Sequence, residues 1–422
     1  MQFSLRNNKS ILNWLICITY AGLFFPIRIS NIPLITLFVF CAIQVTPKEI
    51  LRSIRSNPFA LFLIAMFFLQ IIGLLYSSNL KAGLFMLEKK ICFLLVPLFV
   101  FPAIEKAGVN TNLLLKRIGF ITLFSGIVLL CIAAFRKFIL NDPLAFDFVS
   151  GNEFKGFTSI HYVYYAMYFA SGSLILMDCY FDQLIKSKKG IFTMAVLILY
   201  AVGIMILVAS KSGIIVFIIA TISLFYFRLS NKKLFALSII FLFAAASTFL
   251  YLNENTRNRF SGLDQDLSAV KSDTLQEKIE ITGLNMRLLF WKISVTHLWN
   301  DGKVLTGVGT GDAQNYIDSL YNLPQYQLYG YLNWDSHNQW VYALLQVGVS
   351  GVIVLGSLYI WAFATALRRK DVSLFCFLLV TLVISFSESI LELNKGITFF
   401  SIMLMILTAA YTRKEQSDIS IN

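Results

Sequence analysis

A chain of 422 residues that is 57% hydrophobic and only 14% charged, with a mean hydropathy of +0.72, carries too little charge for a water-soluble surface. Its apolar residues come in blocks and not at a regular period, which excludes a soluble enzyme or a disordered chain and predicts an all-α integral membrane protein. The net charge of +12 does not mark a nucleic-acid binder, because no basic stripe is interleaved with aromatics in a soluble segment.

In chain order, the apolar blocks fall near 11–26, 31–45, 59–76, 89–104, 116–135, 159–179, 191–209, 212–228, 233–252, 338–365, 372–390 and 396–411. They predict about twelve transmembrane helices, the second and fourth being short against the roughly 20 residues that a crossing needs. Arg6 and Lys9 precede the first block, but "AGLFFPIRIS" offers no small-x-small cleavage site, so the block reads as a retained helix. Lys and Arg then gather in alternate connections: Lys48, Arg52 and Arg55; Lys106, Lys116 and Arg117; Lys186, Lys188 and Lys189; Arg228, Lys232 and Lys233; Arg368, Arg369 and Lys370; Arg413 and Lys414. This asymmetry puts both termini on the cytoplasmic side and the long connection 253–337 outside. The expected organisation is nine helices over 1–252, one large outer loop over 253–337 between helices 9 and 10, three helices over 338–411 and a cytoplasmic tail over 412–422. The six cysteines lie in or beside the blocks and read as packing residues, not disulfides or metal ligands.

The polar chemistry sits at the outer ends. "NEFKGFTSIHYVYY" brings Lys155 and His161 to the sixth helix, and the following outer turn "ASKSG" carries Lys211 between two small residues. In the long loop, "LNMRLLFWKISVTHLWNDG" repeats Leu284, Leu288, Trp291, Val295 and Leu298 at helical spacing before an Asn-Asp-Gly stop. That pattern predicts an amphipathic helix lying on the outer membrane face and presenting Arg287 and Lys292. "GVGTG", Gly307 to Gly311, has the look of a phosphate loop, but no strand precedes it, so its glycines read as a tight turn. "NWDSHNQWVYALLQVGVSG" then sets Asp335 and His337 immediately before the tenth block. Glu388 and Glu392, one helical turn apart near the outer end of the eleventh block, read as structural carboxylates for Lys395 or a loop cation.

Spans nearly free of charge count against an ion-coupled transporter, which needs ionisable groups at the midplane. Cations at the membrane lip, Lys211 and Arg287 with Lys155 or Lys292, suit a lipid-linked diphosphate whose leaving charge they would stabilise. His337, with an ordinary pKa of about 6.5, could take the proton of an acceptor hydroxyl, with Asp335 or another carboxylate orienting its ring. No metal is needed, and three scattered histidines give no ligand cluster. The plainer readings are a helix cap for His337, a snorkelling side chain for Arg287 or Lys211, and an aromatic-belt position for His161.

Four stretches together resemble the O-antigen ligase and polymerase superfamily of bacterial polytopic membrane glycosyltransferases: "ASKSG", "NMRLLFWKI", "LTGVGTGDAQNYI" and "DSHNQWVYALLQVGVSGVIV". The resemblance implies transfer of a glycan from undecaprenyl diphosphate to an acceptor hydroxyl at the periplasmic face of the inner membrane, inverting and without metal or other cofactor. It assigns Arg287 to the diphosphate and His337 to the acceptor hydroxyl. The turn position usually held by Arg is Lys211, which keeps the charge and gives up the bidentate fork. Ligation of O-antigen to the lipid A core leads. A repeat-unit polymerase, a protein O-oligosaccharyltransferase and, from another class, a lipid-linked glycan flippase remain as alternatives.

Overall fold

Most of the apolar helices begin where a short polar side chain satisfies the orphan amides of a first helical turn. Asn57, Asn110, Ser187, Ser210, Asn231, Asn338 and Asp371 each accept a bond from the turn that follows them. Thr46 and Glu49 form a reciprocal capping box. The computed structural model describes residues 2–142, 161–254, 257, 283–324, 326 and 332–419, and among them every regular element is helical.

In chain order these are α1 (Gln2–Gly22), α2 (Ile27–Gln44), α3 (Pro47–Ser56), α4 (Pro58–Leu75), α5 (Leu80–Lys90), α6 (Cys92–Leu95), a π-helical turn (Val96–Val100), α7 (Phe101–Lys106) and α8 (Thr111–Phe138). After residue 161 come α9 (Tyr162–Leu184), α10 (Lys188–Val208), α11 (Lys211–Arg228), α12 (Lys232–Leu252), α13 (Gly283–Asn300), α14 (Ala313–Tyr321), α15 (Gln339–Val347), α16 (Val349–Arg369), α17 (Val372–Ser385) and α18 (Asn394–Ile419). Seven of them, α2, α4, α8, α10, α11, α12 and α16, are long and apolar enough to cross a membrane; α17 and the first part of α18 are shorter apolar helices. Helix α9 packs against α8, α10, α11 and α17 and buries residues around its whole circumference.

Three expected helices are interrupted, each for a local reason. The block at 89–104 divides into α6, the π turn and α7, where Pro97 and Pro102 cannot donate to a regular ladder. The block at 338–365 breaks at Gly348, whose φ is +68° and where a Cβ would stand 2.2 Å from the carbonyl oxygen of Leu305. The block at 372–390 ends at Ser385, leaving 386–393 as a non-helical connection to α18. Serines dominate its start, and the hydroxyls of Ser385 and Ser387 turn back onto Leu382 and Ile384 carbonyls, competing with the helical ladder. Glu388 and Glu392 therefore sit on an irregular connection and not on adjacent turns of one helix.

The segment between α12 and α16 builds a small core of its own, with Phe290, Leu298, Val308, Ile317, Tyr321 and Tyr342 in contact. The glycine run is its hinge-pin. Gly307 and Gly309 take positive φ, and the amides of Val308 and Gly309 bond the carbonyls of Leu345 (2.7 Å) and Gln346 (3.1 Å) at the end of α15. Thr310 continues onto α4, its hydroxyl donating to the Gln70 carbonyl (2.9 Å) and its amide to Gly73 (3.2 Å). The helix expected around 284–298 is α13, but it covers a different face: Leu289, Phe290, Ile293 and Leu298 are buried, while Leu284, Val295 and Trp299 stay exposed, Trp299 at 71%.

Candidate active site

The irregular connection 386–393 and the segment before α15 meet at Glu388. Its Oε2 lies 3.0 Å from Nδ1 of His337, and its Oε1 accepts from Nη2 of Arg287 at 2.8 Å. Arg287, one turn into α13, also donates from Nε to the Ser387 carbonyl (2.9 Å) and from Nη1 to the Gly283 carbonyl (3.1 Å). These bonds account for three of the five N–H donors of a guanidinium.

His337 is held from several sides. Its amide donates to Oδ1 of Asp335 (2.9 Å), and the same oxygen stands 3.5 Å from the ring's Nδ1. Phe290 stacks on the imidazole with ring centroids 6.2 Å apart, and Trp334 meets it edge-on at 5.6 Å. Trp291 donates from Nε1 to the Ser336 carbonyl (3.0 Å), and Asn338 caps α15 directly after the ring. The backbone of His337 has φ +46°, the left-handed region that costs a residue with a Cβ about 1–2 kcal/mol. Strain of this kind concentrates at functional sites, where surrounding contacts over-determine it.

The charges support one another. Burial opposes ionisation of Glu388, but the hydrogen bond and charge of His337, together with the charges of His161 and Arg287, bring its carboxyl from 4.5 down to about 2. Burial also opposes a charged His337; the hydrogen bond and charge of Glu388 and the charge of Asp335 outweigh it, against Arg287, and its pKa is raised above the usual 6.5. With Nδ1–H donated to an ionised Glu388, Nε2 is the ring atom that titrates, a tautomer assigned from the hydrogen-bond network.

Lys211, His161 and Asp335, singled out in the sequence, lie around this junction. Lys211 opens α11 in a turn shaped by Ala209, at φ +53°, and by the Ser210 cap. The next residue, Ser212, accepts from the Ser387 hydroxyl at 2.9 Å, so the "ASKSG" turn abuts the connection that carries Glu388. His161 precedes α9, and one turn on Tyr164 donates to the Ser389 carbonyl (3.1 Å), which sets His161 within electrostatic reach of Glu388. Asp335 bonds the His337 backbone, and Glu388 is the closer carboxylate to the ring. Lys155 lies outside the described residues. Beside this end of α9, Phe24, Phe25, Phe120, Phe124 and Tyr165 line an apolar cavity of about 420 Å³ between α1, α8 and α9.

Residues 195–356 match the O-antigen ligase family model. The match supports the O-antigen ligase superfamily for this chain and spans Lys211, Arg287, Asp335 and His337. A comparison with curated proteins finds no match. The family points to a glycan-transfer role in O-antigen or polysaccharide assembly, performed by a glycosyltransferase-like, multi-pass membrane protein. Glu388 lies beyond the matched segment. The signal that marks it in the sequence is a carboxylate inside the apolar run "LVISFSESILELN", where an ionisable group demands a partner.

Proposed function

We propose that the protein transfers a glycan from an isoprenoid diphosphate carrier to an acceptor hydroxyl, most specifically O-antigen from undecaprenyl diphosphate to the lipid A core at the periplasmic face of the inner membrane. The observation that carries this reading is the bridging of His337 and Arg287 by one buried carboxylate, with the Lys211 turn packed against the same connection. His337 and Arg287 thus share one carboxylate, and the turn that carries Lys211 abuts the same connection.

In the proposed reaction, Nε2 of His337 accepts the proton of the acceptor hydroxyl while Glu388 holds the ring by Nδ1–H. The hydroxyl oxygen forms a bond to the anomeric carbon, and the bond from that carbon to the carrier's diphosphate breaks on the opposite side, inverting the centre. The diphosphate leaves with the electron pair. Arg287, through its remaining N–H donors, and Lys211 stabilise the charge that grows on it, so this step calls for no divalent metal. The apolar cavity beside α9 suits a hydrocarbon tail. Lys and Arg clusters in alternate connections support cytoplasmic termini and a periplasmic site, and the twelve-span arrangement belongs to the same proposal.

The test uses purified protein in nanodiscs with undecaprenyl-diphosphate glycan, lipid A core and EDTA. Product formation by the wild type, with folded but inactive His337→Ala and Arg287→Ala variants, is the expected result. Wild-type turnover in both variants would overturn the site, and consumption of donor only with a second lipid-linked glycan would make the protein a polymerase.

A further inference from the structure

Four residues after Glu388, a second carboxylate is sealed inside the protein. Glu392 accepts from Nζ of Lys90 at 2.9 Å and from Nε2 of Gln339 at 3.0 Å on one oxygen, and from Nε2 of Gln346 at 3.0 Å on the other. Lys90 also donates to Oε1 of Gln346 (2.7 Å), and Oε1 of Gln339 accepts the amide of Leu391 at 2.6 Å. Lys90 is 2% exposed, Gln339 3%, Gln346 0% and Glu392 5%, so no member of the group reaches the position of a substrate. Glu392 thus pairs with Lys90, not with Lys395 or a loop cation as its position in the sequence suggests.

Energetics alone do not account for the group. Desolvating an ammonium and a carboxylate costs about as much as their pairing returns, and buried pairs are often replaceable by apolar side chains without loss of stability. What such a pair does supply is geometry, since its bonds are satisfied in one arrangement only. That arrangement ties together three pieces of chain. Gln339 stands two residues after His337, Glu392 and Leu391 stand just after Glu388, and Lys90 ends α5 on the far side of both.

We infer that Lys90 and Glu392, with Gln339 and Gln346, form a clamp that fixes the segment of His337 against the segment of Glu388, making Lys90 and Glu392 positioning residues for the proposed transfer. The inference rests on reading His337 and Glu388 as the proton-handling pair. It goes beyond that reading by placing control of their spacing in side chains that touch neither substrate nor the ring.

The chain has three histidines, His161, His297 and His337, so ring titration can be followed by NMR on histidine-labelled protein in nanodiscs and assigned with a His337→Gln variant. Facing the His337 ring are Glu388, Asp335 and Arg287, with His161 acting on Glu388. The informative variant is the double Lys90→Met/Glu392→Met, which removes one charge of each sign and leaves the net charge unchanged; neither residue is among the charges that set the His337 pKa. The expected result is a folded protein whose His337 midpoint falls by about half a pH unit or more towards its ordinary value. Its turnover falls roughly tenfold with donor KM unchanged. Lys90→Met alone strands Glu392 and lowers folded yield; Lys90→Arg keeps the midpoint. A purely structural pair predicts that the double variant regains yield, turnover and the wild-type His337 midpoint together, and that outcome would overturn the clamp. Full turnover in His337→Ala would sink the transfer reading instead, leaving the ring titration to decide the clamp on its own.

Discussion

Asp178 and Glu388 are buried carboxylates at opposite ends of the same helices, and each grips an arginine. At one end Asp178 of α9 accepts from Nε of Arg228 in α11 (2.6 Å) and from the Ser373 hydroxyl of α17 (2.6 Å), which pins three helices together. At the other end Glu388 accepts from Arg287, and its second partner is the imidazole of His337. Replacing a hydroxyl by a titratable ring turns a fastening into a device that can move a proton. The backbones differ in the same sense: Asp178 lies within a regular helix, whereas Glu388 lies on an irregular connection and His337 in the left-handed region.

The comparison breaks most sharply on activity. His337→Ala should lower transfer by about 10²–10⁴-fold, the range of a lost general base, whereas Asp178→Asn should leave turnover per folded molecule within about twofold; a nanodisc transfer assay normalised to folded protein reads both. The effects reverse for stability. Asp178→Ala strips two charge-assisted bonds and should cost about 1.5–3 kcal/mol, seen as a lower midpoint in thermal unfolding monitored by size-exclusion.

Glu388→Gln sharpens the contrast. The amide oxygen can still accept Nδ1–H, so the loss should be milder than that of removing the base, on the order of tenfold to a hundredfold. Without the carboxylate charge the His337 pKa falls, and the acid limb of the pH–rate profile should move to lower pH. Lys211→Ala should raise donor KM about tenfold, as for one lost charge-assisted contact, and Lys211→Arg should restore it.

Stability against pH is the smallest effect and separates the two groups by sign. The Glu388 carboxyl is depressed, so its contribution is present above about 4.5 and is lost as pH falls from there towards about 2. His337 is raised, so its contribution is present below its ordinary 6.5 and is lost as pH rises through its higher folded value. Urea unfolding across this range should show a plateau bounded on both sides in the wild type, with both slopes reduced in Glu388→Gln.

Much of this arrangement was legible in the residues. The blocks gave an all-helical membrane protein, and the four resembling stretches singled out Lys211, Arg287 and His337 before any geometry. The partner of His337 was not legible, because Glu388 is 51 residues away and no local period links it to the ring. The break at Gly348 was hidden because glycine is ordinary inside membrane helices; only the approach of Leu305 makes it obligatory. The face of α13 was misjudged for a related reason. Leu284 and Val295 form a true apolar stripe, but the core of the inserted segment lies on the side of Leu289 and Ile293. Lys90 escaped notice because "LEKKICFLL" reads as an ordinary basic flank.

The docking of Thr310 onto α4 bears on how the protein is made. Its hydroxyl reaches Gln70 across 240 residues, and Asn57 reaches Thr408 across 351. Chains grow at about 5–20 residues per second, so the early helix waits roughly ten seconds or more for its partner to emerge. Contacts of such sequence separation fold slowly, and a polypeptide interrupted before residue 394 would hold Lys211, Arg287, His337 and Glu388 without α18. Closure of the fold therefore waits for α18, whose Thr408 is the distant partner of Asn57.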